Sequence, residues 1–200
     1  MARHRLRGRG RRRGGVDHAP GRPARTWSEA LQWSTWVHSV VGGAHFALAL
    51  VALVLGPIIF LRRKGGAFHR AAGYAFVLSM LVVNVTALTN YGLSGRPNLF
   101  HFFAVLSLTA LLPGFYYLQR AVRTGDQKLL ELHARLMMWA YFGLFAAGVA
   151  QILTRVLPPI VSDIGRAFAY MGAGFFVAGF VATIWFRVAA RRLAARYPLR

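Results

Sequence analysis

The sequence predicts an all-α integral membrane protein, a helical bundle of about five transmembrane helices built on a four-helix core. Three observations predict it. Of 200 residues, 56% are apolar, more than a soluble protein of this size holds while keeping its surface wet. Only 15% are charged, and those are clustered, leaving long stretches with no charge. Five such stretches reach the roughly 20 residues that carry a helix across the hydrocarbon core.

Along the chain, residues 1–26 come first. They hold nine arginines among glycines and prolines, with too little apolar surface to fold, and are expected to be a disordered tail. No short apolar core with a small-residue cleavage site marks them as a signal peptide. Residues 27–36 are tryptophan-rich and are expected at the membrane interface. The transmembrane domain follows over 37–190, with spans at 37–61, 67–88, 99–118, 129–153 and 164–190. Gly56-Pro57 predicts a kink or early exit from span one, and Pro158-Pro159 closes span four. Residues 191–200 form a basic C-terminal end.

The formal net charge of +20 would suggest a nucleic-acid partner in a soluble protein. Here the cations lie in the tail and at span ends, where headgroup contacts and topology are their ordinary roles, so no nucleic-acid partner is expected. Thirteen cations fall on the side of the odd loops and C-terminus, and twelve on the other once the tail is included. Without the tail, the rule that cytoplasmic loops are cation-rich places the odd loops and C-terminus in the cytoplasm. The chain has no cysteine, which removes disulfides, thiolate metal sites, iron–sulfur clusters and covalent c-type haem.

Polar groups inside hydrocarbon are expensive and therefore informative. Asp17, Glu29, Asp126 and Asp163 fall outside the spans and Glu131 only in the first residues of span four, so no span carries deep in the hydrocarbon the carboxylate that a proton-coupled carrier wants, and no catalytic residue stands out. Histidine behaves differently. His45, His69, His101 and His133 each occupy the first part of a different span, one apiece for spans one to four. In an up-and-down bundle His45 and His101 share one leaflet, and His69 and His133 the other. Two histidines facing each other across a bundle core can ligate one haem b iron, so two pairs would make a two-haem path for electrons across the membrane.

His45 is preferred to His38 for the first pair although His38 matches His101 better in depth. Arg155 on one side, and Arg70 and Arg135 on the other, are candidate partners for haem propionates. The second reading of the same residues is an interfacial role for the histidines and a topological one for the arginines. The bundle would then be cofactor-free, binding a lipid or quinone or serving as a subunit of a larger complex. Asn84, Asn90 and Gln151 are expected to hydrogen-bond between helices.

Several short motifs repeat a known order. A histidine stands eleven residues before a Gly-Pro pair (His45, Gly56, Pro57), and His-Arg-x-x-Gly opens a helix (His69, Arg70, Gly73). A Gly-Asp loop (Gly125, Asp126) then precedes His-x-Arg-x-Met (His133, Arg135, Met137), followed by Tyr141, Arg155 and Pro158. Over residues 40–160 the chain resembles an uncharacterised bacterial family of multi-pass membrane proteins, a domain of unknown function. It departs from that pattern at Leu136 and Trp139, where the family often has Trp and Arg. The resemblance implies a bacterial inner-membrane location and carries no activity. The histidine placement is also similar, distantly, to that of four-histidine di-haem b-type cytochromes, which implies electron transfer with a quinone or another redox partner.

Overall fold

The computed structural model describes residues 39–89, 97–156 and 164–197, with the side chains of 99, 154–156 and 164–168 left out. The expected tail and interfacial segment, His38, Asn90, Pro158-Pro159 and the Arg155 side chain all lie outside the described residues. Among those described there are five helices and no strand: α1 (Val40–Leu61), α2 (Ala67–Thr89), α3 (Leu99–Thr124), α4 (Gln127–Val156) and α5 (Ile164–Arg196). All five are long and apolar enough to cross a membrane.

Local chemistry sets the helix ends. The Ser39 hydroxyl accepts the Gly42 N–H at 3.0 Å and starts α1. Asn98 starts α3 in a reciprocal cap with His101. Gly125, with φ +69°, closes α3 in the left-handed region, which a side chain would oppose. Asp126 then accepts the Lys128 N–H at 2.8 Å as α4 begins. A turn this short forces α3 and α4 to run antiparallel.

The helices pack in chain order, α1 on α2, α2 on α3 and α3 on α4, and α1 closes the ring against α4. Thus α1 and α3 occupy opposite corners of a square, as do α2 and α4. The core lies along the axis, from Ala52, Phe76 and Met80 to Leu111, Met137 and Leu144. At its centre the buried Asn84 amide donates to Ser107 Oγ at 3.1 Å, and Ser107 reaches the Ala140 carbonyl at 3.4 Å. That network joins α2, α3 and α4, the helix-to-helix role expected of Asn84.

Outside the square, α5 crosses the back of α4. At one end Met171 and Phe175 pack with Phe103, Ala146 and Ala150. At the other, Phe186 and Ala190 pack with Met138 and with Phe60 from the end of α1. The Gln127 amide donates to the Ala194 carbonyl, and Arg191 meets Glu131 at 3.4 Å, tying the last turns of α5 to the first of α4.

The expected early exit at Gly56-Pro57 does not occur, because α1 continues to Leu61. Proline has no N–H, so Pro57 leaves the Leu53 carbonyl, four residues back, without its helical donor. The Tyr141 hydroxyl of α4 donates to that carbonyl at 3.2 Å. Gly56 makes the approach possible, since a Cβ there would run into the Tyr141 ring. The Gly-Pro pair and the distant tyrosine are therefore one interlock that lets α1 continue past its proline.

Candidate functional site

The four histidines extend the inward stripes of their helices. His45 leads to Ala49, Ala52 and Gly56; His69 to Ala72, Phe76, Met80 and Val83; His101 to Ala104, Ser107 and Leu111; His133 to Met137, Ala140 and Leu144. Steps of three and four residues keep each set on one helix face, and these faces carry the buried residues of the square. An interfacial histidine has no reason to keep that register.

At the end formed by the α1–α2 and α3–α4 turns, His69 and His133 stand on opposite corners, on α2 and α4. His133 Nδ1 lies 2.8 Å from the Gly114 carbonyl of α3. A carbonyl can only accept, so Nδ1 carries the proton and Nε2 keeps a lone pair. This is the arrangement by which a backbone oxygen orients a metal-ligating imidazole. His69 Nδ1 is buried without a hydrogen-bond partner among the described residues. One turn on, half-buried Gly73 presents no side chain, and a Cβ added there would meet nothing within 4 Å. Beside His69, then, α2 leaves a notch.

The opposite end is built differently. His45 Nδ1 lies 2.7 Å from Thr86 Oγ1 on α2, and that hydroxyl itself donates to the Val82 and Val83 carbonyls at 2.7 and 3.0 Å. His45 is therefore the donor, and its Nε2 is also bare. His101 is 7% exposed, and its Nδ1 lies in the α3 cap between the Asn98 N–H, at 3.3 Å, and Asn98 Oδ1, at 3.1 Å, accepting from the first in one tautomer and donating to the second in the other. His45 thus fastens α1 to α2, while His101 starts its own helix.

Of the arginines, Arg70 is exposed and donates to the Gly65 carbonyl at 2.8 Å, so it braces the α1–α2 turn. Arg135 is half-buried, two residues from His133 and so turned away from its face. The sequence reading missed Lys64. Its ammonium donates to the Ile59, Phe60 and Arg62 carbonyls at 2.5, 2.7 and 3.1 Å, closing the end of α1, and burial lowers its pKa. A lysine three residues past a helix end is the signal for such a cap.

Among the described residues no three His, Asp or Glu side chains group as a protein-only metal site requires. Two facing imidazoles are instead what a haem iron takes from its protein. Of the pair His69 and His133, His133 has an oriented, unprotonated Nε2, and half-buried His69 has a buried Nδ1 and a glycine notch beside it.

The sequence model of one family, described as "Predicted membrane protein (DUF2306)", matches residues 42–186. The match takes in all four histidines and most of α5, so the last span belongs to the family's unit and the expected limit near residue 160 was too short. No curated protein and no solved structure matches the chain.

Proposed function

Since the chain belongs to the DUF2306 family of predicted membrane proteins, it is a multi-pass membrane protein, and we propose that it transfers electrons from a b-type haem held by His69 and His133. The observation that carries this reading is the His133 imidazole, oriented by the Gly114 carbonyl at the end of the bundle it shares with His69. When bound, haem supplies one-electron chemistry. The protein's part is to hold two imidazoles toward the axis, fix one tautomer through Gly114, and surround the pair with hydrocarbon. Arg70 and Arg135 lie at the same end and are proposed partners for propionates.

At the opposite end both histidines already have structural work, His45 on Thr86 and His101 on Asn98. The bonds there favour the structural reading for that pair, with Arg155 left to topology. Quinone or another redox partner is the proposed source or acceptor of the electron, and the bacterial inner membrane the proposed location, since helical spans suit it and β-barrels the outer one.

Absorption spectra of detergent-purified protein from haem-replete cells test the proposal. A Soret band and a dithionite-sharpened α-band, at one haem per chain, are expected. Replacing His69 or His133 with alanine should abolish both bands, and replacing His45 should spare them. Protein that shows no such bands in the wild type sinks the proposal.

Orientation follows from charge. Leaving residues 1–26 aside, the odd loops and the C-terminal end hold thirteen cations against three, Arg96, Arg155 and Arg166, so the His69/His133 end is the proposed cytoplasmic one. The chain has no cysteine to mask the result. In intact cells Thr124→Cys should resist an impermeant maleimide until lysis, whereas Ser39→Cys should react at once. The reverse pattern inverts the assignment.

A further inference from the structure

The cation-rich end carries a second feature, independent of haem. At 1.5 Å per residue, the 33 residues of α5 measure about 50 Å against a hydrocarbon core of about 30 Å. Its last turns must leave the hydrocarbon, and the Gln127 and Glu131 bonds to Ala194 and Arg191 hold them rigidly on α4 as they do so.

The outward face of α5 changes character along its length. Val177, Val181, Ile184, Trp185 and Val188 are all exposed, Trp185 by 63%. In the same register the face continues into exposed Arg192 and Arg196. Apolar residues, then an indole, then guanidinium groups is the sequence of layers a helix meets on passing from acyl chains through the interface to the phosphates. Arg187 is exposed one turn before Arg191, and Phe60 seats the end of α1 against Phe186 and Ala190, so Arg62 and Arg63 join the same rim.

Carboxylates are scarce there. Among the described residues Glu131 pairs with Arg191, and Asp126 is engaged in the start of α4. The other cations of the rim have no carboxylate partner among the described residues, an arrangement whose mutual repulsion calls for an anion from outside the chain.

We propose that the α5 rim, centred on Arg192 and Arg196 below Trp185 with Arg187 beside them, is a binding site for the phosphate of an anionic phospholipid. The unbroken run from exposed apolar residues into arginines selects a lipid over a soluble acidic protein, which would have no use for the Val181–Trp185–Val188 stripe. Guanidinium groups match phosphate oxygens in pairs, and the tie of Ala194 and Arg191 to α4 fixes the backbone from which they project.

The full chain in nanodiscs of phosphatidylcholine, with or without about a third phosphatidylglycerol, provides the test. Phosphatidylglycerol should raise the unfolding midpoint by several degrees and persist as adducts in native mass spectra. The Arg192→Gln/Arg196→Gln protein should keep the midpoint of wild type in pure phosphatidylcholine and lose most of the gain and the adducts. If that variant does not fold, wild type in molar salt should lose the gain instead, since screening weakens exposed charge contacts. Equal midpoints in the two lipids, or a full gain in the folded variant, would overturn the site. So would inorganic phosphate reproducing the gain in pure phosphatidylcholine, which would make the ligand a free anion.

Discussion

Replacing Gly56 with leucine should leave little or no folded protein in the membrane, and alanine should already be severely destabilising. Even a Cβ at this position enters the Tyr141 ring. The ring cannot swing aside easily, because Phe60 meets it edge-on at 5.6 Å and Phe76 lies at 6.5 Å. Overpacking a fitted core costs about 1–3 kcal/mol, and a boxed ring puts Gly56→Ala at the upper end of that range. Tyr141→Phe removes only the hydroxyl, leaving the Leu53 carbonyl with no donor from Pro57 or Tyr141, at about 1–3 kcal/mol. Combining Gly56→Ala with Tyr141→Ala should recover part of the loss, since the second change removes the obstacle. Unfolding in mixed micelles with increasing dodecyl sulfate measures all three; a Gly56→Ala protein as stable as wild type would show that the interlock is not there.

The second large effect separates ligation from folding at His133. Asparagine there keeps an N–H donor near the position of Nδ1, so the bond to the Gly114 carbonyl can persist, while the Nε2 lone pair disappears. His133→Asn protein should therefore be expressed and unfold near the wild-type midpoint, yet carry no haem bands. Methionine supplies a different axial ligand, so His133→Met should retain haem with a raised midpoint potential. Should the asparagine protein keep full haem spectra, His133 is a structural residue and the His69/His133 assignment fails.

Much of this molecule was legible because hydrocarbon enforces simple rules. Five uncharged stretches became five helices, and α2 begins at Ala67 as the sequence suggested. The ends were read less well. Hydropathy reports where apolar residues stop, not where a helix stops, so α3 runs past the expected residue 118 to a left-handed glycine. For the same reason α5 continues past 190 on alanines that pack against α4.

The histidines were legible as one per helix, and the structure adds their inward register. Beginning α1 at Val40 also sets His45 only about 8 Å along its helix, closer in depth to His101 than the sequence implied. Their partners were not legible, because Thr86, Asn98 and Gly114 become neighbours only through packing or capping. Gly56, Pro57 and Tyr141 were visible as a motif. Their joint meaning required knowing that the proline frees a carbonyl beside a residue 88 positions away.

The bonds that tie Gln127 and Glu131 to the end of α5 have a consequence for how the protein is made. The translating ribosome releases α1 to α4 first, and the partners of Gln127 and Glu131 lie 67 and 60 residues downstream. Until α5 inserts, the start of α4 is a half-finished surface with a lone carboxylate at the membrane edge. Insertion of α5 therefore closes the start of α4, and a chain interrupted before residue 191 would lack both bonds.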